Sequence, residues 1–357
     1  MDQRLQFARD ILQKLDVAAH GDIRARFTPI DPSQVAHLEG YFLQRWLDEA
    51  DRAPAERGAA IKEFWNSNAG RALLNQHAIG RLKQDRHEYV PWINSALPLK
   101  GANILEIGCG TGSSVMAFAE QGANVTAIDV VDEAIDMTDE RMRLFGFKNV
   151  SVSKMNATEI AENFQVGQFD IIIFFAVLEH MTHKERIQSL RSAWNLLRPG
   201  AFLCVAEAPN RLWHFDDHTS DLPFFHWLPH ELAMEYWKNS QNYPEFPLFE
   251  IAKGELDSNE VLVDFLRLGR GVSFHEFEIA LGPIQDLSVV SDRLSFQIAQ
   301  NPLRRLHYAA SMKRKYMSFL RKQRPDLPRG FFNSYINIIL QKDHQSPTEK
   351  PLELSMC

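Results

Sequence analysis

Polar and apolar positions along the chain fall into three textures. Up to about residue 96, stretches such as LQFARDILQKL and VAHLEGYFLQRWLDEA repeat apolar residues every three or four positions. That is the period of a helix burying one stripe. Runs of β-branched residues are rare there, so residues 1–98 are expected to form a helical region, acting either as packing or as a lid. LPLKG, at 97–101, reads as the linker that follows.

The texture then changes. NILEIGCGTG, NVTAIDVVDEA, VSVSKMNA, FDIIIFFAVLEH and FLCVAEAPN are short apolar or alternating runs, separated by helix-period segments such as 113–121 and 184–197. Strands alternating with helices predict βαβ units and a parallel sheet covered on both faces. The expected fold class is therefore α/β, a doubly wound Rossmann-like core over residues 99–208, with the Pro199-Gly200 turn returning a helix to the fifth strand. From 209 to 271 the alternation stops and Phe, Trp, Pro and His dominate, as in a cap inserted after that strand. Over 272–343, VSFHEFEIAL and SYINIILQK read as two more strands, with an amphipathic helix at about 302–321 between them. The tail, 344–357, is polar, contains Pro347 and Pro351, and is expected to be disordered.

Composition narrows the function classes. A net charge of −7 and a pI near 6.0 argue against a general nucleic-acid binder. Cys109, Cys204 and Cys357 form no CxxC pair, so no disulfide framework or cysteine metal site is expected. The start, MDQRLQFARD, lacks the apolar core of a signal peptide, and IIIFFAVL is too short to span a bilayer. A cytoplasmic location is the expectation.

A glycine-rich turn after a first strand usually cradles a nucleotide. Here Gly108, Gly110 and Gly112 give GxGxG, which fits the dinucleotide fingerprint GxGxxG in neither frame. Glu106, just before the turn, would oppose a pyrophosphate but suits a cation. Asp129 closes the second strand about twenty residues on, where an acid accepts bonds from ribose hydroxyls. A ligand with a ribose, an ammonium group and no phosphate satisfies both.

These residues resemble a known family. ILEIGCGTG, AIDV, MNA, FDIIIFFAVLEHM and LRPGAFLCVAE are similar, in order, to the motifs of class I S-adenosylmethionine-dependent methyltransferases, in the branch of ubiquinone-type and bacterial natural-product enzymes. The resemblance covers about 103–207 and extends to SYINIILQK. It implies a seven-stranded sheet with an antiparallel last strand, here paired with VSFHEFEIAL. It implies S-adenosyl-L-methionine as cofactor, with S-adenosyl-L-homocysteine as product. Glu106, Gly108 and Gly110 would meet its methionine part, Asp129 its ribose, and Val130 its adenine face. Asn156 and Ala157 would meet the adenine edge, although the family more often has Asp at the former. Phe175 and Ala176 would border the methionine chain. Glu179 and His180 read as architectural.

Methyl transfer needs a nucleophile held in line with a sulfonium, a base if the nucleophile carries a proton, and few waters. APNRLWHFDDHTSDLPFFHWLPHE (208–231) follows the fifth strand, at the sheet edge where ligands of open α/β folds bind. His214 and His218 are four apart, as are His226 and His230, a spacing that holds zinc when it lies on a helix. Pro223, Pro229 and poor helix propensity argue against that, and no metal is expected. His214, His218 and Asp217 are the candidate bases; the alternative is a loop that only shapes the pocket. Trp213, Phe215, Phe224, Phe225 and Trp227 would line an acceptor pocket, which suggests a small-molecule acceptor with an aromatic or apolar body; their other reading is burial under the cap. The basic helix over 303–324 suits a solvated face, an acidic or carrier-bound substrate, or a membrane surface. The expected function is O-methylation of a small molecule in specialised metabolism. N-methylation, or methylation of RNA, protein or a carrier-bound acid, stands as the alternative. Nucleic acid is disfavoured as a partner, and homodimerisation is left open.

Overall fold

The computed structural model describes residues 27–53, 55–240, 258–300 and 312–343. The early helix-period stretch at 5–15, residues 302–311 and the tail 344–357 lie outside the described residues. Nine strands are described: β1 (Asn103–Ile107), β2 (Asn124–Asp129), β3 (Val150–Lys154), β4 (Ile171–Phe175), β5 (Phe202–Pro209), β6 (Phe215–Asp216), β7 (Leu222–Pro223), β8 (Ser288–Asp292) and β9 (Tyr335–Gln341). Seven form one sheet in the order β3-β2-β1-β4-β5-β9-β8, while β6 and β7 form a separate small hairpin. The first five strands of the sheet run parallel; β9 is antiparallel to both β5 and β8. This is the doubly wound, mostly parallel α/β sheet expected, with order reversing between β1 and β4.

β4 (IIIFF) is buried at every position because helices cover both faces of the sheet. Apolar clusters on the two faces hold the sheet, one around Phe118 and Trp92, the other around Phe174, Phe277 and Phe331.

One predicted strand is a helix. VSFHEFEIAL forms Phe274–Leu281, and the hairpin partner of β9 is instead β8. Ser273 and Glu276 make a reciprocal capping box that starts the helix. Phe274, Phe277 and Ala280 then share its buried face. The alternation in the sequence was real but short, and the S-x-x-E signature outranks it. The basic helix is described from Met312 to Gln323, with Met317 buried against the core.

The N-terminal helices run from Pro32 to Ala96. Between Gln76 and Ala96 two π-helical stretches, Gln76–Gly80 and Asp85–Tyr89, flank Arg81–Gln84. Wide turns of this kind are uncommon and often stand at functional sites. Arg141 fixes this segment against the sheet. Its guanidinium is fully buried and donates to three backbone carbonyls: Thr111 at 2.7 Å, Ala78 at 2.9 Å and His77 at 2.7 Å. Arg141→Leu would remove all three bonds, leaving the His77 carbonyl only the long contact from Thr111 Oγ1 at 3.4 Å, and a loss on the order of 3 kcal/mol in urea-unfolding stability is expected. A change under about 0.5 kcal/mol would refute this anchoring role.

Candidate functional site

The carboxyl ends of β1, β2, β4 and β5 open onto two adjoining cavities, of about 300 and 780 Å³. Gly108, Gly110, Ala176 and His180 line both, so the glycine turn and the end of β4 form the neck between them. The turn is built by geometry that only glycine adopts easily: φ is +78° at Gly108, +53° at Gly110 and +75° at Gly112. A Cβ on Gly108 would stand 2.5 Å from Val177 Cγ2, whereas one on Gly110 would meet nothing within 4 Å. The open side of Gly110 is where a ligand can lie against backbone.

The smaller cavity carries Asp129, Val130, Asn156 and Ala157. Asp129 accepts from Gly110 N at 3.0 Å and Val131 N at 3.1 Å, one bond per oxygen. A carboxylate has capacity for about two more acceptor contacts, enough for a vicinal diol. Val130 is 51% exposed, an apolar face at the cavity wall. Asn156 accepts through Oδ1 from Thr158 N and Oγ1, at 2.9 and 2.8 Å. Its amide donors stay available among the described residues.

Glu106 departs from the expectation of direct contact. It is fully buried under the glycine turn, and neither cavity wall includes it. Ser114 donates to Oε1, while Oε2 has no hydrogen-bond partner, and burial pushes the carboxyl up to about 8.

The larger cavity contains one of the three candidate bases, His218. His214 lies between Trp213 and Tyr316, at ring distances of 5.0 and 4.7 Å, and is not on the wall. Asp217 is exposed and bonds the Tyr335 hydroxyl. Neither four-residue histidine pair shares a helix; His226 faces the buried Asp216 carboxylate at 3.3 Å. The aromatic wall also fails to form. Trp213 packs in the core against Tyr316, and Phe215 packs beside that cluster. Phe225 joins Trp237 and Phe265, and Phe224 and Trp227 stand about half exposed against each other. Pro223, Pro229 and the β6–β7 hairpin turn these side chains away from the sheet edge.

His180 and Glu179, read as architectural, gather with His218. His180 Nδ1 donates to the Arg267 carbonyl at 2.7 Å. His218 Nδ1 lies 2.9 Å from Thr219 Oγ1, whose own proton goes to the carbonyls of Leu268 and Gly269. His218 therefore turns an unprotonated Nε2 toward Glu179 Oε1 at 3.7 Å, and His180 Nε2 lies 3.9 Å from the same oxygen. Glu179 is fully buried with neither oxygen hydrogen-bonded, and burial raises its carboxyl. Burial also lowers His218 to about 4. The two ring nitrogens and the carboxylate oxygen face one another closely enough to receive a proton or a cation.

Four further wall residues, Glu207 and its partners Arg81, Gln84 and Tyr89, escaped the sequence reading. Glu207, in β5, adopts φ +56°, and neighbouring Ala176 has φ +49°; strain of this kind concentrates at active sites. Glu207 N donates to Asn337 Oδ1 at 3.0 Å, and its carboxylate accepts from Gln84 at 2.9 Å, Tyr89 at 2.6 Å and Arg81 at 2.5 Å. The AE of FLCVAE was visible, but its partners lie more than a hundred residues away.

The core also matches known sequences. Residues 104–200 match the family described as "Methyltransferase domain". That segment is a methyltransferase domain, similar to those of class I S-adenosylmethionine-dependent enzymes. Among curated relatives, the ubiquinone biosynthesis O-methyltransferase of Dechloromonas aromatica is 30% identical over 152 residues, covering 42% of this chain and 60% of the relative. The Xylella fastidiosa enzyme of the same name is 34% identical over 145 residues, 40% of this chain and 53% of the relative. The chain thus spans about half to two thirds of the relatives it matches. Among solved structures, magnesium protoporphyrin IX methyltransferase from Synechocystis, with bound SAH, aligns at 17% identity and TM-score 0.33 over 42% of this chain and 66% of that one. Within the described residues no helix is long and apolar enough to cross a membrane.

The cofactor of this family is S-adenosylmethionine, and the smaller cavity fits it: a diol acceptor at Asp129, an apolar face at Val130, and no cluster of cations for phosphate. Gly108→Ala should weaken S-adenosylhomocysteine binding at least roughly tenfold by calorimetry, through the Val177 clash. Gly146→Ala carries similar backbone strain in open space and should bind normally; equal losses in both would remove the clash as the cause.

Proposed function

We propose that this protein transfers a methyl group from S-adenosylmethionine to a hydroxyl of a small molecule, in specialised metabolism. The observation carrying this reading is the pair of joined cavities, one suited to adenosine and the other with the neutral imidazole of His218 on its wall. The names of the curated relatives support oxygen as the acceptor atom.

On this reading Asp129 takes the ribose hydroxyls, Val130 and Ala157 enclose the adenine, and Asn156 donates to its edge. Gly108, Gly110 and Ala176 leave room for the methionine chain to cross the neck, beside Phe175. Glu106 acts from beneath the turn, its negative potential favouring the ammonium and sulfonium. The bound donor supplies an electrophilic methyl group with a good leaving group. The chain's residues must align the acceptor and move one proton. His218 Nε2 takes that proton as the C–O bond forms, and Glu179 stabilises the resulting imidazolium. The segment Gln76–Ala96 forms the lid, latched to the sheet by Arg81, Gln84 and Tyr89 on Glu207, and excludes water. The described residues of the stretch after β5, among them His218 and Arg267, close the other side.

Asp129→Ala should reduce S-adenosylmethionine affinity about a hundredfold, since a buried diol loses its acceptor; unaltered affinity would overturn the ribose assignment. His218→Asn should lower kcat by 10² to 10⁴ with little change in cofactor affinity. The sign of the pH dependence follows from burial. His218 is held down near 4, so it remains neutral and able to accept a proton well below the ordinary histidine range. Turnover at saturating cofactor should stay level from pH 8 to about 5.5 and fall below about pH 5. An acid limb centred near 6.5 would sink this assignment.

A further inference from the structure

The walls of the larger cavity bear on the class of acceptor. Resting on the methyl-transfer reading above, we infer that the acceptor is a neutral polyhydroxylated ring of the carbohydrate class.

Of the three phenyl or phenol rings on this wall, Tyr89, Phe175 and Tyr335, the first two are not offered to a flat ligand. The Arg293 guanidinium lies over the Tyr89 ring, 4.3 Å from its centroid, and Arg81 lies over Phe175 at 5.6 Å. Tyr89 and Phe175 also pack on each other at 4.7 Å. A planar acceptor needs an open face or an apolar slot, and both rings are covered by hydrogen-bonding groups. The five aromatic side chains that could have supplied a slot lie elsewhere in the fold.

The charges on the wall are already balanced. Arg81 pairs with Glu207, and Arg293 pairs with Glu88. A carboxylate or phosphate drawing Arg81 away would leave Glu207, whose side chain is largely buried, without its cation. A neutral acceptor does not.

What remains is a mixed set of donors and acceptors. Glu207 is an acceptor fixed in place by three donors, with its side chain 13% exposed at the wall. Asn333 and Ser334 line the wall from the chain just before β9, and their side chains make no hydrogen bond among the described residues. Gln76 adds a second carboxamide from the lid. A ring hydroxyl both donates and accepts, so adjacent hydroxyls need this alternation of carboxylate and carboxamide. A catechol or a prenylated phenol has one polar edge and would leave most of these groups facing apolar surface, at the cost of their hydration.

The chemistry balances without another reactant. One ring hydroxyl reaches the neck at His218, its oxygen forms a bond to the methyl carbon, and the S–CH₃ bond breaks to give the neutral thioether. The hydroxyl proton passes to His218 Nε2 and then to solvent. The other hydroxyls are held by Glu207, Asn333 and Ser334.

Saturation-transfer NMR on the full chain loaded with S-adenosylhomocysteine tests this. The probe is an equimolar mixture of methyl α-glycosides of glucose, galactose, mannose, rhamnose and fucose with catechol and caffeate. At least one glycoside should gain saturation while catechol and caffeate do not. That signal should fall at least fivefold in Asn333→Ala and in Glu207→Gln. Saturation of the phenols alone, or of no glycoside, would overturn the carbohydrate assignment. Calorimetric binding of S-adenosylhomocysteine is measured alongside: its loss in the unmodified chain overturns the methyltransferase reading itself, and its retention in the variants shows that they fold. If the glycoside signal survives both substitutions, the polar wall does not select the acceptor.

Discussion

A buried guanidinium bonded to three backbone carbonyls organises this molecule. Arg141 sits on the helix after β2 and spends its donors on backbone carbonyls of two segments, the lid at His77 and Ala78 and the glycine turn at Thr111. Burial pushes it down to about 9, so it still carries its charge at neutral pH. Beside the Asp85 charge and the Phe42 ring under its face, its donors are matched in number and direction to three carbonyls, two of them supplied by the π-helical turn. The lid therefore meets the cofactor-side turn at a fixed distance, and the residues that follow, Arg81, Gln84 and Tyr89, fall over the end of β5.

Glu207 is the matching constraint on the acceptor side. Its left-handed backbone follows from the register shift between Val205 and Ala208 in β5 against β9. Asn337 of β9 captures the Glu207 amide, and the side chain then rises into the lid's donors. The antiparallel end of the sheet, which could pass for simple closure, thus shapes the wall. Strain at Glu207 and Ala176 is offset by hydrogen bonds from three separate elements, the arrangement expected where a fold holds reactive groups ready. At the neck, Glu179, His180 and His218 form a low-dielectric acceptor set whose ring orientations are dictated by carbonyls of the segment before the helix Phe274–Leu281.

The parts legible in the sequence were those whose meaning is local. Glycines at 108, 110 and 112 need only their neighbours to make a tight turn, and Asp129 needs only its place at a strand end. The same holds for the five parallel strands, where apolar runs between helices admit one burial pattern. Reading failed where two local signals competed or where contacts were distant. In VSFHEFEIAL a period-two pattern of a few residues lost to a capping box. In the aromatic stretch 208–231, composition said nothing about direction, and two prolines with a two-residue hairpin sent Trp213 and Phe225 into separate cores and Phe224 and Trp227 to the surface.

By itself the sequence determined the sheet, its glycine turn and the residues at the carboxyl ends of β1 to β4, because periodicity and spacing act within about twenty residues. Tertiary structure decided that His218 alone of the three candidates lines the larger cavity, that Glu106 sits beneath the turn, and which polar groups stand on that cavity's wall. Those outcomes depend on pairs such as Gln84 with Glu207, 123 positions apart, and Glu207 with Asn337, 130 apart. Burial removed water from around both pairs, and only the folded chain sets which donor then meets which acceptor.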